Sequence, residues 1–241
     1  MNMPATAMVF AAGLGTRMRP LTNTRPKPLI EVAGKTLLDR TLDRLADAGV
    51  QTAIVNVHYL PDMVIDHLRQ RTHPRIIISD EREKLLDQGG GIRHVLAQFD
   101  EAPFFICNTD AFWAGEEHDN LRAMAQMWDA NKMDVLLLLA DRTSSIGVDG
   151  PGDFFLDTNG RLTRRGAAAH APCVYSGVGI IKPQLFAQED NDVFGLAKFF
   201  FAAGERERLY GLELSGTWLH VGRPQTIAEA EHALGALASA P

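Results

Sequence analysis

Five short stretches in the first part of the chain are almost continuously apolar: AMVFAA (7–12), TAIVNV (52–57), RIIIS (75–79), PFFICN (103–108) and DVLLLLA (134–140). Stretches of this length without polar alternation are expected of strands covered on both faces, as in a parallel sheet. Between them the period changes. TLLDRTLDRLADAGV puts Leu38, Leu42 and Leu45 on one helical face and stops at Gly49, a residue suited to a helix C-terminus. PDMVIDHLRQR and GGIRHVLAQF read as two further crossover helices. Strand–helix alternation of this kind predicts an α/β fold with a doubly wound, mostly parallel sheet and right-handed crossovers.

The second half is less regular. TSSIGVDGPGDFFLDTNGRLTRRG is rich in Gly, Asp and Ser around one short strand, DFFL, with a turn at Asn159-Gly160. It predicts a small β-hairpin insertion beside the main sheet. CVYSGVGII and TWLHVG predict two more strands, and RPQTIAEAEHALGALA a closing amphipathic helix. No repeat, low-complexity tract or linker divides the chain, so a single domain over 1–241 is expected.

Composition narrows the partners. With 46% hydrophobic and 22% charged residues in 241, the chain can bury a core and is not disordered. A net charge of −6 speaks against nucleic acid, which needs a basic face. Cys107 and Cys173 sit inside apolar stretches, as buried thiols of a reducing compartment do, and no Cys/His spacing suggests structural zinc. The opening MNMPATAMVFAA lacks a positive leading region, and its apolar part is too short to span a membrane. A cytoplasmic protein without a membrane partner is expected, and nothing in the pattern specifies an oligomeric state.

Against this acidic background one loop is basic. FAAGLGTRMRPLTNTRPKPLI, Phe10 to Ile30, follows the first strand, and open α/β sheets bind ligands at the carboxyl ends of their strands. Gly13 and Gly15 let backbone N–H groups approach phosphate oxygens, Arg17 can fork onto them, and Lys27 is held between two prolines. Two familiar phosphate loops do not fit. Met18 stands where a dinucleotide fingerprint needs its third glycine, and Leu29 where a Walker A loop needs its first.

The composite AAGLGTRMRPLT…PKPLIEVAGKTLLD resembles the signature of the sugar-1-phosphate nucleotidyltransferases. The resemblance continues through DQGGGI, FFICNTDAFW, GPGDFFL, YSGVGII and TWLHVG, nearly the whole chain. It implies the Rossmann-like nucleotidyltransferase fold, with residues 1–140 as the nucleotide-binding half and 141–241 as the sugar-binding half and C-terminal helix. It also implies the reaction: a sugar-phosphate oxygen attacks the α-phosphorus of a nucleoside triphosphate and pyrophosphate leaves in line.

The resemblance implies catalytic roles for Arg17 on the departing phosphates, Lys27 on charge near the α-phosphate or sugar phosphate, and Asp110 on Mg²⁺. The plain alternative for Asp110 is a turn or N-cap aspartate. Nucleotide binding falls to Ala11, Ala12, Gly13, Gly15, Gln88, Gly89 and Gly90, with the glycines through Gly91 expected ahead of a helix, offering bare backbone to a base. Sugar binding falls to Asn108, Asp153 and Gly177.

Three positions depart from the family pattern. Thr109 stands in place of a glycine, and Gly195 where a related uridylyltransferase carries lysine. His220 occupies the slot of an aspartate that serves as second metal ligand, which brings Mn²⁺ or Co²⁺ into play beside Mg²⁺. The triple glycine and the compact GDFFL insertion favour UTP and N-acetylmuramate 1-phosphate as substrates. Guanylyl transfer to mannose 1-phosphate and thymidylyl transfer to glucose 1-phosphate are the alternatives; a non-catalytic nucleotide-sugar-binding regulatory subunit is the reading of another class. Arg161, Arg164 and Arg165 are available for the lactyl carboxylate of N-acetylmuramate, against the simpler reading of a solvated basic edge.

Overall fold

The structure is a computed structural model and describes residues 3–239. The strands are β1 (Thr6–Phe10), β2 (Glu31–Val32), β3 (Lys35–Thr36), β4 (Thr52–Val57), β5 (Arg75–Asp80), β6 (Phe104–Asn108) and β7 (Ala111–Ala114). They continue with β8 (Val135–Asp141), β9 (Phe154–Leu156), β10 (Leu162–Arg164), β11 (Cys173–Ile181), β12 (Leu209–Glu213) and β13 (Thr217–His220). The helices are α1 (Leu37–Ala48), α2 (Pro61–Leu68), α3 (Asp87–His94), α4 (Asn120–Met127), α5 (Ala197–Glu205) and α6 (Gln225–Ala238).

The main sheet runs β12-β8-β11-β6-β1-β4-β5, with the β9–β10 hairpin attached to β11. All neighbouring pairs along it are parallel except those of β11, which is antiparallel to both β6 and β8. The sheet is therefore mostly parallel, as expected. Side chains of successive residues leave opposite faces, and both faces are covered. Val9, Val55, Phe105 and Leu136 pack with Leu38, Leu42 and Leu45 of α1. Met8, Ile54, Phe104 and Leu137 pack on the other face with Phe186, Phe199 and Phe200. That two-sided burial explains the absence of polar alternation in the strands. It also pushes the Cys107 thiol up to about 12, so that sulfur is inert packing.

Local signals behave as their chemistry requires. The Thr36 hydroxyl caps α1 by accepting from Asp39 N–H (3.0 Å), and Gly49 ends it in the left-handed region at φ 101°. The hairpin forms with Gly160 at φ 81° and meets β11 through Phe154 and Cys173. One boundary is corrected. β1 ends at Phe10, so Ala11 and Ala12 are the first residues beyond it, though still buried. TWLHVG forms the expected short strand. As β13 it pairs with β7 in a separate two-stranded sheet, over a small core formed by Met18, Ile30, Phe112 and Leu219.

From β1 the chain steps to β4 and β5 on one side, then returns to β6 on the other. Connections leaving the carboxyl ends of β1 and β6 therefore diverge and leave a crevice.

Candidate functional site

Two cavities open at this crevice. The first, of about 450 Å³, is bounded by Phe10–Gly13 after β1, Asn56 of β4, Lys27 and Pro28 of the basic loop, and Asp87 and Gln88 of α3. The second, of about 280 Å³, is bounded by Arg17, Asp149, Asp153, Tyr175–Gly177, Trp218 and His220. Asn108 and Asp110, at the end of β6, border both. A phosphate bound across that divide would touch both chambers.

The basic loop is anchored so that its charges can face the crevice. Met18 is fully buried, and the Thr22 hydroxyl donates to the Gly15 carbonyl (2.8 Å) while Tyr59 donates to that of Thr22 (2.8 Å). Gly15 has φ 61°, and a Cβ there would stand 3.0 Å from the Thr22 methyl and 3.1 Å from Lys27 Cβ. Gly13, by contrast, has open space on its cavity side. Arg17 is exposed at the rim of the second cavity. Thr109, the departure from glycine, is buried and donates to the Phe10 carbonyl at 2.7 Å, tying together the exits of β6 and β1.

Lys27 Nζ meets Asp110 Oδ2 at 3.0 Å, and His220 Nε2 lies 3.6 Å from the same oxygen. Burial pushes the Asp110 carboxyl up, but contact with His220 and the charge of Lys27 outweigh it and hold the group well below the usual carboxylate range. His220 comes from β13, whose pairing with β7 sets it opposite Ala111. Its Nδ1 lies 3.1 Å from the Gly147 carbonyl, and its ring stacks on Trp218 with centroids 5.5 Å apart. Without a cation, Nε2–H points at Asp110; loss of that proton, with Nδ1–H kept on the Gly147 carbonyl, turns the Nε2 lone pair to the same place. One carboxylate and one imidazole nitrogen thus converge, which fits a divalent cation that takes its remaining ligands from phosphate and water. Among the described residues no group of three or more His, Cys, Asp or Glu could hold a metal unaided.

Asn108 is fixed from α3: its Oδ1 accepts from Gln88 Nε2 at 2.7 Å. Gly177, at φ 91°, lies so close that a Cβ would stand 2.9 Å from Asn108 Cβ. Asp153 accepts the Tyr175 N–H at 2.9 Å and borders the second cavity with Gly177.

The triple glycine has another role than the expected one. Gly89–Gly91 lie inside α3, not ahead of it, and the N–H groups of Gly89 and Gly90 both donate to the Phe194 carbonyl (2.9 and 3.2 Å). Those donors are taken, and neither glycine borders the first cavity. A Cβ at Gly89 would overlap the Phe194 ring, one at Gly90 the Asp192 carbonyl, and one at Gly91 would lie 2.6 Å from Glu81 Oε1. The glycines let the 192–194 segment lie directly on the helix and bring Val193 into the cavity wall. Gly195 stands beside Asp87, where a Cβ would be 3.3 Å from Oδ2.

None of the three hairpin arginines borders either cavity, and each is engaged elsewhere on the protein. Arg161 pairs with Glu207 (2.9 Å), Arg164 lies over the Phe201 ring (3.4 Å), and Arg165 holds the carbonyls of Gly152 and Ala168 (3.1 and 2.6 Å). Sequence reasoning passed over Asn56, which borders the first cavity and holds Ala11 N–H at 2.8 Å. Its signal was present: one polar side chain near the carboxyl end of an otherwise apolar strand.

The model of the MobA-like NTP transferase domain matches residues 7–176. The chain is 48% identical over 232 residues, 95% of its length and 96% of the relative's, to the N-acetylmuramate alpha-1-phosphate uridylyltransferase of Caulobacter vibrioides. It is 32% identical over 235 residues, 95% and 98% of the two lengths, to the enzyme of that name from Neisseria meningitidis serogroup B. A solved UDP-glucose pyrophosphorylase, complexed with UDP-glucose, superposes with TM-score 0.76 over 96% of this chain and 98% of that one, at 16% identity, a likeness of fold alone. The glycine loop, Lys27 and Asp110 lie within the matched region, and the chain belongs to the MobA-like NTP transferase family.

Proposed function

We propose that the protein is a uridylyltransferase that joins UTP to N-acetylmuramate 1-phosphate and releases pyrophosphate. The observation that carries the reaction class is the Lys27–Asp110 pair on the divide between two cavities at the switch point of the sheet. The similarity to the Caulobacter enzyme over almost the full length of both chains supports the choice of substrates.

In this reading UTP lies in the first cavity and the sugar in the second, with the α-phosphorus near Asn108 and Asp110. A phosphate oxygen of the sugar phosphate forms a bond to the α-phosphorus, the bond to the β-phosphate oxygen breaks, and its electron pair leaves on pyrophosphate. Both reactants are anions, so alignment and charge neutralisation are the main tasks. Lys27 lies within reach of charge developing at the α-phosphate, and Arg17, at the rim, suits the departing phosphates. Asn108, oriented by Gln88, and Asp153 offer polar groups to sugar hydroxyls. Asp110 and His220 would hold a divalent cation, Mg²⁺ or with the imidazole Mn²⁺ or Co²⁺. When bound, that ion supplies neutralisation of the phosphate oxygens.

The test is pyrophosphate release over a grid of UTP, GTP and dTTP against the 1-phosphates of N-acetylmuramate, N-acetylglucosamine, mannose and glucose. The expected maximum is UTP with N-acetylmuramate 1-phosphate. A maximum elsewhere in the grid would replace the substrate assignment, and no release anywhere would leave only a binding role.

A further inference from the structure

Glu81 is a carboxylate sealed under the first cavity, 3% exposed, with no lysine or arginine paired to it among the described residues. Burial pushes its carboxyl up, opposed by hydrogen bonds from Asn56 and Leu86 and by the nearby His94 and His58. A charged group in such surroundings is kept where its hydrogen bonds are needed. Here both oxygens are used. Oε1 accepts from Asn56 Nδ2 (2.9 Å) and Oε2 accepts the backbone N–H of Leu86 (3.2 Å). Asn56 in turn accepts Ala11 N–H on its own Oδ1 (2.8 Å).

These bonds form a directed chain between two walls of one cavity. The β1–β4 ladder ends with Phe10 opposite Asn56, and the Asn56 side chain captures the next donor, Ala11 N–H, where the backbone turns into the glycine loop. At the other end, Leu86 leads into Asp87, held at φ 62°, and Gln88, both of which border the cavity. Gly91 keeps the space: a Cβ there would lie 2.6 Å from Glu81 Oε1 and 3.2 Å from Asn56 Nδ2.

We propose that Glu81 is a positioning residue for the nucleotide site, a two-ended acceptor that fastens the glycine loop, through Asn56, to the segment leading into α3. The proposal rests on the reading of the first cavity as the UTP site. Its distinctive feature is direction. Asn56 must donate to Glu81 because its oxygen is taken by Ala11, and Glu81 must accept twice because both its partners are donors. An amide at position 81 has the right shape but one donor too many.

That directionality makes a reversal experiment possible. In Glu81→Gln, an NH₂ group faces either Asn56 Nδ2 or Leu86 N–H, and one donor goes unpaired. In Asn56→Asp, two carboxylates face each other. In the double variant, the carboxylate introduced at 56 accepts from Ala11 N–H and from the amide introduced at 81, whose oxygen accepts from Leu86 N–H. Every bond is restored with the central one reversed, and the pair keeps one negative charge.

Equilibrium binding of UTP with Mg²⁺, without sugar phosphate, should be about tenfold weaker in each single variant, the scale of one unsatisfied buried donor. The double variant should recover to within about threefold of wild type, and the exposed control Glu83→Gln should match wild type. In steady state the single variants should raise KM for UTP while KM for N-acetylmuramate 1-phosphate stays put. If Glu81→Gln does not fold, Asn56→Asp and the double variant carry the comparison. Single variants with wild-type UTP affinity, equal losses toward both substrates, or a double variant no better than the singles would each overturn the clamp. Wild-type protein that fails to bind UTP saturably would instead overturn the site reading beneath it.

Discussion

Lys27 and Asp110, 83 positions apart in the chain, meet at 3.0 Å where the exits of β1 and β6 diverge. Each neutralises the other; in the proposed reaction, phosphate oxygens would take the ammonium and a metal ion the carboxylate. The pair keeps opposite charges ready at one point without leaving either uncompensated.

Removing a cation from this point should cost rate. Arg17→Ala and Lys27→Ala should each lower kcat by roughly 10²-fold, the scale of losing one donor to transition-state charge. Their stabilities should differ. Arg17 is exposed, so its variant should melt like wild type, whereas Lys27→Ala leaves a partly buried carboxylate with His220 alone and should melt lower. Steady-state kinetics and thermal denaturation check both; near-normal turnover in either variant would remove that residue from the mechanism.

The pH dependence of stability follows from Asp110. Its folded carboxyl is held below the ordinary range, so its contribution is fully present above the unfolded value, ~3.9, and is lost as pH falls further. The difference in unfolding free energy between wild type and Asp110→Asn should therefore shrink as pH falls below about 4. A difference that stays constant through the acid range would place its origin in another group.

Gly90 and Gly13 should differ in what a methyl group does to stability. At Gly90 a Cβ would overlap the Asp192 carbonyl, so Gly90→Ala must displace the 192–194 segment, at about 1–3 kcal/mol of stability, and should raise KM for UTP as Val193 leaves the cavity wall. At Gly13 nothing lies within 4 Å. Gly13→Ala should melt like wild type and still weaken UTP, because its methyl enters the space that the loop leaves for phosphate.

What the sequence revealed depended on contrast. β1, β4, β6 and β8 were legible because burial on both faces keeps polar residues near their ends and leaves an apolar centre. β12 was not: it lies at the edge, holds Gly211 mid-strand, and ends in exposed Glu213. α5 was missed because AKFFFAAGE is apolar around most of its circumference and shows little period. The glycine loop, Lys27 and Asp110 were readable from chemistry at strand ends. Gly89–Gly91 were visible as missing side chains, but what fills the space, the segment around Phe194, is supplied only by the tertiary structure.

Arg164 illustrates the same limit for charge. Its guanidinium lies 3.4 Å above the Phe201 ring, outside both cavities. Arg164→Ala should leave the ratio of kcat/KM for N-acetylmuramate 1-phosphate over N-acetylglucosamine 1-phosphate unchanged, while lowering stability by about 0.5–1 kcal/mol for the lost cation–π contact. A selective loss toward the carboxylate-bearing sugar would return this arginine to the site.

His220 is where the chain departs most from the aspartate expected in its slot. With Nδ1 at the Gly147 carbonyl, Nε2 faces Asp110, so the site offers one hard oxygen and one softer nitrogen. Relative to two carboxylates it has one negative charge fewer. Mg²⁺ should accordingly bind weakly, and Mn²⁺ or Co²⁺ should gain on it. His220→Asp should tighten Mg²⁺ and reduce that preference, and His220→Ala should weaken Mn²⁺ without abolishing turnover. Mn²⁺ binding can be followed by electron paramagnetic resonance on protein with bound UTP, independently of rate, beside metal titrations of activity. Identical Mg²⁺ and Mn²⁺ curves for wild type and both variants would mean that the imidazole only packs against Trp218 and that Asp110 holds the ion with phosphate and water alone.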